Sequence, residues 1–160
     1  MKDKYITPYY GAFGSNLNKK QMKERCPESI PCEATTLKGY MLCFRSVADV
    51  IPKINTRVPI AVYKITHNCE DALDHYESFP LLYRKEYTDI QLNGQNINLM
   101  FYVMNQMYGF GKPSGAYYRT IAEGYVDWGL SEHTLVKAHA YSIKNDSGNS
   151  YRSKYWDSAK

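Results

Sequence analysis

Several protein classes are excluded by what this sequence lacks. With 10 glycines and 7 prolines among 160 residues, it has too little of either for a collagen-like or low-complexity chain. Lys and Arg outnumber Asp and Glu by only 20 to 16, and a net charge of +4 does not by itself indicate nucleic acid binding. No uncharged apolar run approaches the roughly 18 residues of a membrane-spanning helix, and residues 1–5 do not resemble a secretory signal. We therefore expect a cytoplasmic globular protein that binds neither nucleic acid nor membranes.

Cofactor and metal motifs are also missing. The cysteines Cys26, Cys32, Cys43 and Cys69 form no C-x-x-C pair, which favours reduced, mostly buried thiols, with a Cys26–Cys32 disulfide as the alternative. His67 and Cys69 have no second ligand pair, so a loop and helix cap is favoured over a metal site. Glycine-rich nucleotide loops and the G-x-S-x-G nucleophile turn are absent. The sequence predicts no cofactor and no metal.

The distribution of apolar residues and turn signals predicts an α+β domain over residues 1–145. Predicted strands are Tyr9–Phe13, Thr35–Phe44, Pro59–Ile65, Tyr83–Leu92 and Ile97–Met104, with Asn93-Gly94 as a tight hairpin turn. The first two predicted helices are Leu17–Arg25 and Cys69–Phe79, the second capped by Asn68. A third begins at the cap Ser114 and ends near Gly124. A fourth begins at the cap Ser131 and ends near Lys144, with Val136, Ala140 and Ile143 as its apolar face. This order does not alternate as a doubly wound sheet does, so a mixed sheet that curls or closes, with helices outside it, is expected. The tail 146–160 is either flexible or docked through Tyr151, Tyr155 and Trp156.

One local feature is the segment Phe13, Gly14, Ser15, Asn16, Leu17 between the first strand and helix. Free N–H groups at the start of a helix lie at the positive end of its dipole and bind carboxylate or phosphate. On this pattern alone, a plain strand-to-helix turn is the favoured interpretation.

A second feature is Glu77, which follows Leu73 by four residues and borders the face of Tyr76 and Phe79. A carboxylate at the edge of an apolar face is partly desolvated, which raises its proton affinity toward the range of acid–base catalysis. Taken alone, such a glutamate is usually a boundary residue whose carboxylate reaches water.

Four segments, taken together and in this order, resemble the γ-glutamylcyclotransferase family. They are Tyr10-Gly11-Ala12-Phe13-Gly14-Ser15-Asn16-Leu17 with the following Met22, Arg25, Cys26 and Pro27; Leu73-Asp74-His75-Tyr76-Glu77-Ser78-Phe79-Pro80 with Tyr83-Arg84; Phe101-Tyr102-Val103-Met104; and Pro113-Ser114-Gly115-Ala116-Tyr117. The resemblance runs from about Tyr9 to Leu130. Three positions depart from the family pattern: Phe13 stands where Tyr is usual, Gly11 replaces a bulky residue, and Ser78 replaces a Gly.

The resemblance implies a closed mixed β-barrel with flanking helices and a pocket at one end. It also implies that the Phe13–Leu17 backbone holds the α-amino-acid end of a γ-glutamyl group and that Glu77 is the acid–base residue. Tyr102 and Tyr117 would line the same cavity, with a place in the barrel core as the alternative for each.

The implied reaction is release of 5-oxoproline and a free amine from a γ-glutamyl amide, by attack of the substrate's own α-amine on its γ-carbonyl. The expected partner is therefore a small γ-glutamyl compound. A module that binds a small amine or carboxylate without turnover is the alternative, and a tyrosine-rich single-strand nucleic-acid binder is a third hypothesis. The sequence indicates neither the leaving amine nor the oligomeric state.

Overall fold

The computed structural model describes residues 4–6 and 8–157, which build one mixed sheet with four helices packed around it. The strands are β1 (Tyr9–Ala12), β2 (Ile30–Arg45), β3 (Val47–Lys64), β4 (Tyr83–Leu92) and β5 (Gln95–Met104). The helices are α1 (Lys19–Arg25), α2 (His67–Tyr76), α3 (Gly115–Asp127) and α4 (His133–Lys144), with a single 3₁₀ turn at Ser15–Leu17 between β1 and α1. The expected α+β class is confirmed.

The sheet has the strand order β2-β3-β1-β5-β4 and is open. Two antiparallel hairpins flank the short β1, which pairs antiparallel with β3 and parallel with β5. Within residues 4–6 and 8–157 no pairing joins the outer strands β2 and β4, so the expectation of a closed barrel is wrong. Two irregularities in β2, at Pro31/Glu33 and Lys38/Tyr40, interrupt its register with β3. Such irregularities bend an edge strand away from further pairing.

The two hairpins differ in how well the sequence predicts them. Asn93 and Gly94 have φ of 52° and 76°, the positive values that a tight hairpin turn requires, and the predicted turn is confirmed. The β2–β3 hairpin is much longer than predicted, because β2 begins at Ile30 and the segment from Arg45 to Val58 is also paired. Its turn is at Ser46, which has φ of 68°.

Helix α4 is buried on a different face from the one predicted. Val136 and Ile143 are 52% and 46% exposed, whereas Leu135, Ala138 and Ser142 are buried. Ser142 replaces an apolar residue on the buried face because its hydroxyl accepts a hydrogen bond from the Phe44 N–H at 2.8 Å. A hydroxyl satisfied in this way is compatible with burial, and hydropathy alone does not reveal it.

All four cysteines are free thiols, so the alternative disulfide between Cys26 and Cys32 is wrong. Cys26, Cys43 and Cys69 are buried, and Cys32 is exposed. No helix in the described part of the chain is long and apolar enough to cross a membrane.

Helix α3 packs directly on the backbone of the 3₁₀ turn through Gly124. A Cβ at this position would lie 2.7 Å from the Asn18 nitrogen and 2.8 Å from the Leu17 carbonyl carbon. Main-chain atoms cannot move aside as a flexible side chain can, so this glycine fixes how closely α3 approaches the turn.

We therefore expect Gly124→Ala to lower the free energy of unfolding by about 1–3 kcal/mol, despite alanine's higher helix propensity. Gly115→Ala is the matched control in the same helix, since a Cβ there meets only the mobile end of Arg119. Urea unfolding of both variants tests this. Equal stability of the two variants would contradict a close backbone contact at Gly124.

Candidate functional site

A small cavity of about 50 Å³ lies where the end of β1, the end of α2, the start of α3 and the C-terminal segment meet. Most of its polar lining consists of hydroxyl groups and main-chain amides, and Glu77 supplies a carboxyl group. The lining residues are Tyr10, Gly11, Phe13, Gly14, Ser15, Asn16, Val47, Ala48, Tyr76, Glu77, Leu82, Tyr83, Tyr102, Tyr117, Tyr151, Ser153, Tyr155 and Trp156.

The 3₁₀ turn presents unpaired N–H groups while its carbonyls are occupied. The Tyr63 hydroxyl donates to the Asn16 carbonyl at 3.0 Å, and Trp128 Nε1 donates to the Leu17 carbonyl at 2.8 Å. The Leu17 N–H donates to the Gly14 carbonyl at 3.0 Å. Among the described residues, the N–H groups of Ser15 and Asn16 have no acceptor, so this turn offers donors to an anionic group in the cavity.

Two tyrosine hydroxyls in the lining each accept a hydrogen bond from a group that can only donate. Arg25 donates to Asn16 Oδ1, which leaves the Asn16 amide nitrogen to donate to the Tyr10 hydroxyl at 3.0 Å. The Ala48 N–H donates to the Tyr117 hydroxyl at 2.9 Å. Each hydroxyl has one proton of its own, and neither proton has an acceptor in the described part of the structure. Both protons are available to a ligand.

Gly14 allows Tyr117 to approach the turn. A Cβ on Gly14 would lie 3.0 Å from the Tyr117 hydroxyl oxygen and 3.3 Å from the Ala48 Cβ. Contacts this short are tighter than van der Waals packing normally allows, so a larger residue would displace the hydroxyl. Glycine therefore keeps the tyrosine hydroxyl and the turn on the same cavity.

Glu77 is held by the way helix α2 ends. The Ser78 N–H donates to the His75 carbonyl at 3.2 Å, and the Phe79 N–H donates to the Asp74 carbonyl at 2.9 Å. These two bonds form a Schellman motif in which Ser78 is the left-handed residue, with φ of 51°. Glu77 is thus the C-cap of α2 and not an interior helix residue as predicted, and its side chain lines the cavity.

Burial changes the acidity of Glu77. Its carboxyl makes no hydrogen bond or salt bridge to any residue in 4–6 or 8–157, and desolvation raises its pKa to about 7. The nearby positive charge of Arg25 acts in the opposite direction and lowers this pKa. A carboxyl group with a pKa near neutrality can both accept and donate a proton at physiological pH.

The cavity brings together most of the residues predicted from the sequence. Phe13, Gly14, Ser15 and Asn16 all line it with Glu77, Tyr102 and Tyr117. Leu17 does not line it: this residue is fully buried in the core, and its N–H and carbonyl are both paired within the protein.

Tyr102 lines the cavity, and its hydroxyl is already committed. It donates to Asp74 Oδ1 at 2.6 Å, and Lys85 lies 3.0 Å from the same carboxylate. The hydroxyl of Tyr102 therefore fastens α2 to β5 and is not a free donor in the cavity.

Sequence reasoning did not assign several lining residues to the site, including Tyr10, Tyr76 and Tyr83 and the tail residues Ser153 and Trp156. The tyrosines lie inside or beside the segments that carry the family resemblance, which was the available signal for them. The tail is remote from those segments in sequence. His67 is exposed while Cys69 is buried, and no group of three or more His, Cys, Asp or Glu in the described residues is placed to hold a metal ion.

Comparison with known proteins decides the family. Residues 10–127 match the family model described as gamma-glutamyl cyclotransferase, AIG2-like. The chain belongs to this family. No match is found among curated protein sequences.

Three solved structures of low sequence identity have the same fold. The human uncharacterized protein loc79017 is 20% identical, with a TM-score of 0.74 and 96% of each chain covered. A gamma-glutamyl cyclotransferase is 20% identical, with a TM-score of 0.72 and coverage of 92% of this chain and 94% of that one. YkqA from Bacillus subtilis is 21% identical, with a TM-score of 0.70 and coverage of 88% of this chain and 55% of that one. At such identities the likeness concerns the fold alone.

One departure from the γ-glutamylcyclotransferase pattern has a physical explanation in this structure, and at a second the structure explains the family's glycine but not the serine of this chain. At Gly11, a Cβ would lie 2.9 Å from a methyl carbon of Leu99, so the leucine side chain fills the space of a larger residue. Ser78 adopts a left-handed conformation, for which glycine is favoured. The structure does not explain Phe13.

We expect Ser78→Gly to raise the free energy of unfolding by about 0.5–1 kcal/mol, because glycine removes the cost of the left-handed conformation. Ser78→Ala is the control, since it removes the hydroxyl but keeps the Cβ, and no gain is expected from it. Thermal or urea unfolding measures both. A gain of equal size in the alanine variant would show that the hydroxyl, and not the backbone, is unfavourable here.

Burial of Glu77 predicts a pH-dependent stability. The pKa is about 7 in the folded protein against 4.5 for an unperturbed glutamate, so the folded state binds more protons between these values and loses stability as the pH rises through them. Glu77→Gln removes this loss. Between pH 5 and pH 8, its stability relative to the wild type should rise by about 2–3 kcal/mol.

Urea unfolding at a series of pH values tests this prediction. Glu86→Gln is the control, because Glu86 is an exposed partner of Arg84, and its effect should vary little with pH. A difference between Glu77→Gln and wild type that stays constant from pH 5 to pH 8 would mean that the Glu77 carboxyl is well hydrated.

Proposed function

We propose that this protein converts a γ-glutamyl amide to 5-oxoproline and a free amine or amino acid. The observation that carries the proposal is the Glu77 carboxyl, with a pKa raised to about 7, in one cavity with the unpaired N–H groups of Ser15 and Asn16. Membership of the γ-glutamylcyclotransferase family supports the same reaction class.

In the proposed complex the free donors of the cavity bind the negative charges of the substrate. The N–H groups of Ser15 and Asn16 hold the α-carboxylate, as free amides at the start of a helical turn do. The hydroxyls of Tyr10 and Tyr117 then remain for the γ-carbonyl oxygen, on which negative charge develops during the reaction. Loss of one such donor commonly costs about 2.7–4 kcal/mol of transition-state stabilisation.

The chemistry is an intramolecular acyl transfer. The ionised Glu77 removes a proton from the substrate's α-ammonium, and the resulting amine attacks the γ-carbonyl carbon to close a five-membered ring. The tetrahedral intermediate collapses with cleavage of the original C–N bond, and the protonated Glu77 gives its proton to the departing nitrogen. The ring nitrogen gives up its second proton as the lactam forms, and this proton passes to the released amine, which leaves as an ammonium. Glu77 ends in the state in which it began.

Only one acid–base group is required because the nucleophile and the electrophile belong to the same molecule. Effective molarities of well-oriented intramolecular reactions correspond to roughly 7–11 kcal/mol. The remaining task of the protein is to hold the substrate in a folded conformation, which a small cavity enclosed by rigid aromatic rings suits. Five of its lining tyrosines are Tyr10, Tyr76, Tyr83, Tyr102 and Tyr117.

We expect Glu77→Gln to lower kcat by at least 100-fold, because the amide cannot exchange a proton with the substrate. For the wild type, kcat/KM should rise with pH through about 7 as Glu77 ionises. The assay is mass-spectrometric detection of 5-oxoproline from a panel of γ-glutamyl amino acids, γ-glutamyl amines and glutathione.

The exposed Glu86→Gln again serves as the control and should retain wild-type turnover. Formation of 5-oxoproline by Glu77→Gln at more than a tenth of the wild-type rate would refute the role of Glu77. Binding of γ-glutamyl compounds with no 5-oxoproline from any of them would instead identify a binding module.

A further inference from the structure

The C-terminal segment Tyr151–Trp156 forms one wall of the cavity, although it lies beyond residues 10–127 that match the family model. It is fastened to the β2–β3 turn, where the Tyr151 N–H donates to the Arg45 carbonyl at 3.2 Å and the Ser46 hydroxyl donates to the Tyr151 carbonyl. At its far end, the Trp156 ring packs edge-on against Tyr117, with ring centroids 5.0 Å apart. The segment is therefore part of the site's construction.

Trp156 begins a chain of hydrogen bonds with a defined direction. Its indole Nε1 lies 2.7 Å from the Tyr76 hydroxyl oxygen, which in turn lies 3.0 Å from Ser15 Oγ. An indole N–H donates and cannot accept, so Tyr76 is the acceptor in the first bond. The geometry of the second bond allows either hydroxyl to donate, and acceptance from the indole polarises the Tyr76 O–H and favours Tyr76 as the donor.

The direction of this chain determines what Ser15 offers to a ligand. In the arrangement in which Ser15 Oγ accepts from Tyr76, its own proton has no acceptor among the residues described. The side chain lines the cavity and is only 4% exposed, so bulk water does not readily replace a missing partner. The Ser15 hydroxyl and the Ser15 N–H are thus both donors without a partner.

Arg25 holds the middle of the chain in place. Its guanidinium carbon lies 3.4 Å from the centroid of the Tyr76 ring, and its nitrogens donate to Asn16 and Gln21. A guanidinium stacked on an aromatic face restricts the ring and places positive charge nearby. Rotation of Tyr76 away from Ser15 is therefore opposed by Arg25 as well as by Trp156.

We propose that Trp156 is a positioning residue that, through Tyr76, fixes the Ser15 hydroxyl as a hydrogen-bond donor to the α-carboxylate of the substrate. The identity of that carboxylate rests on the proposed function. Without the indole N–H, Tyr76 and Ser15 can reverse their hydrogen bond, and the serine proton then points to Tyr76 instead of the ligand. The tail thereby selects for a free α-carboxylate, which donors bind better than a neutral carboxamide.

The test measures binding separately from turnover. In the Glu77→Gln background, calorimetry compares γ-glutamylalanine with its analogue in which the α-carboxylate of the glutamyl unit is a carboxamide. Trp156→Phe keeps an aromatic ring against Tyr117 but removes the N–H. We expect it to weaken binding of the carboxylate form about 3- to 10-fold, and binding of the carboxamide form less than twofold.

Two further variants distinguish a positioning role of Trp156 from simple covering of the cavity by the C-terminal segment. Arg152→Lys changes an exposed side chain of the same segment that does not line the cavity and keeps its charge, so the preference for carboxylate over carboxamide should not change. In a Ser15→Ala background, Trp156→Phe should cause no additional loss for the carboxylate form, because the two residues act through one bond.

Equal weakening of both ligands by Trp156→Phe, or full additivity with Ser15→Ala, would overturn the proposal and leave the tail as a simple cover. No binding of the carboxylate form would overturn it as well. If the predicted binding pattern is found but the wild type forms no 5-oxoproline, the role of Trp156 stands and the proposed reaction fails. If the wild type forms 5-oxoproline but Trp156→Phe does not change binding of either ligand, the proposed reaction stands and the role of Trp156 fails.

Discussion

The site depends on one constraint: tyrosine hydroxyls in its lining each accept a hydrogen bond from a group that can only donate. Tyr117 accepts from the Ala48 N–H, Tyr10 from the Asn16 amide nitrogen, and Tyr76 from the Trp156 indole. A buried donor left without a partner costs about 1–3 kcal/mol. In the proposed function an anionic ligand supplies the missing acceptors, so the direction of these bonds, more than the shape of the cavity, is the basis on which we propose a carboxylic acid substrate.

Glu77 supplies the carboxyl group that lines the cavity together with these donors. Desolvation raises its pKa to about 7 while Arg25 lowers it, and the balance keeps both protonation states accessible near neutral pH. A more distant Arg25 would leave Glu77 protonated and a poor base, whereas a direct salt bridge would leave it ionised and a poor acid. The guanidinium is instead occupied by Asn16, Gln21 and the Tyr76 ring. Its charge therefore reaches Glu77 without a hydrogen bond.

What the sequence predicts well is local. The Asn93-Gly94 turn and the Ser114 cap each depend on residues close in the chain. Helix α2 is also found, although its cap is Thr66 and not the predicted Asn68. What it does not predict depends on distant partners. The sheet is open because β2 pairs only with β3. The buried face of α4 depends on a hydrogen bond between Ser142 and Phe44, which are 98 residues apart, and Trp156 contacts Tyr76 across 80 residues. The turn 13–17 and Glu77 are assigned by family resemblance, since each alone is an ordinary structural feature.

Glu77 stays in the cavity because the end of α2 cannot swing out into water. Its burial and the left-handed Ser78 both lower stability, and both lie at this helix end. On the preceding turn, Asp74 accepts from the Tyr102 hydroxyl at 2.6 Å and pairs with Lys85 at 3.0 Å, and Lys85 also pairs with Glu70 at 3.0 Å. This network ties α2 to both strands of the β4–β5 hairpin. Tyr102 therefore supports the site by opposing a motion of α2 that would expose the Glu77 carboxyl to water. The family resemblance instead implies that Tyr102 contacts the substrate directly.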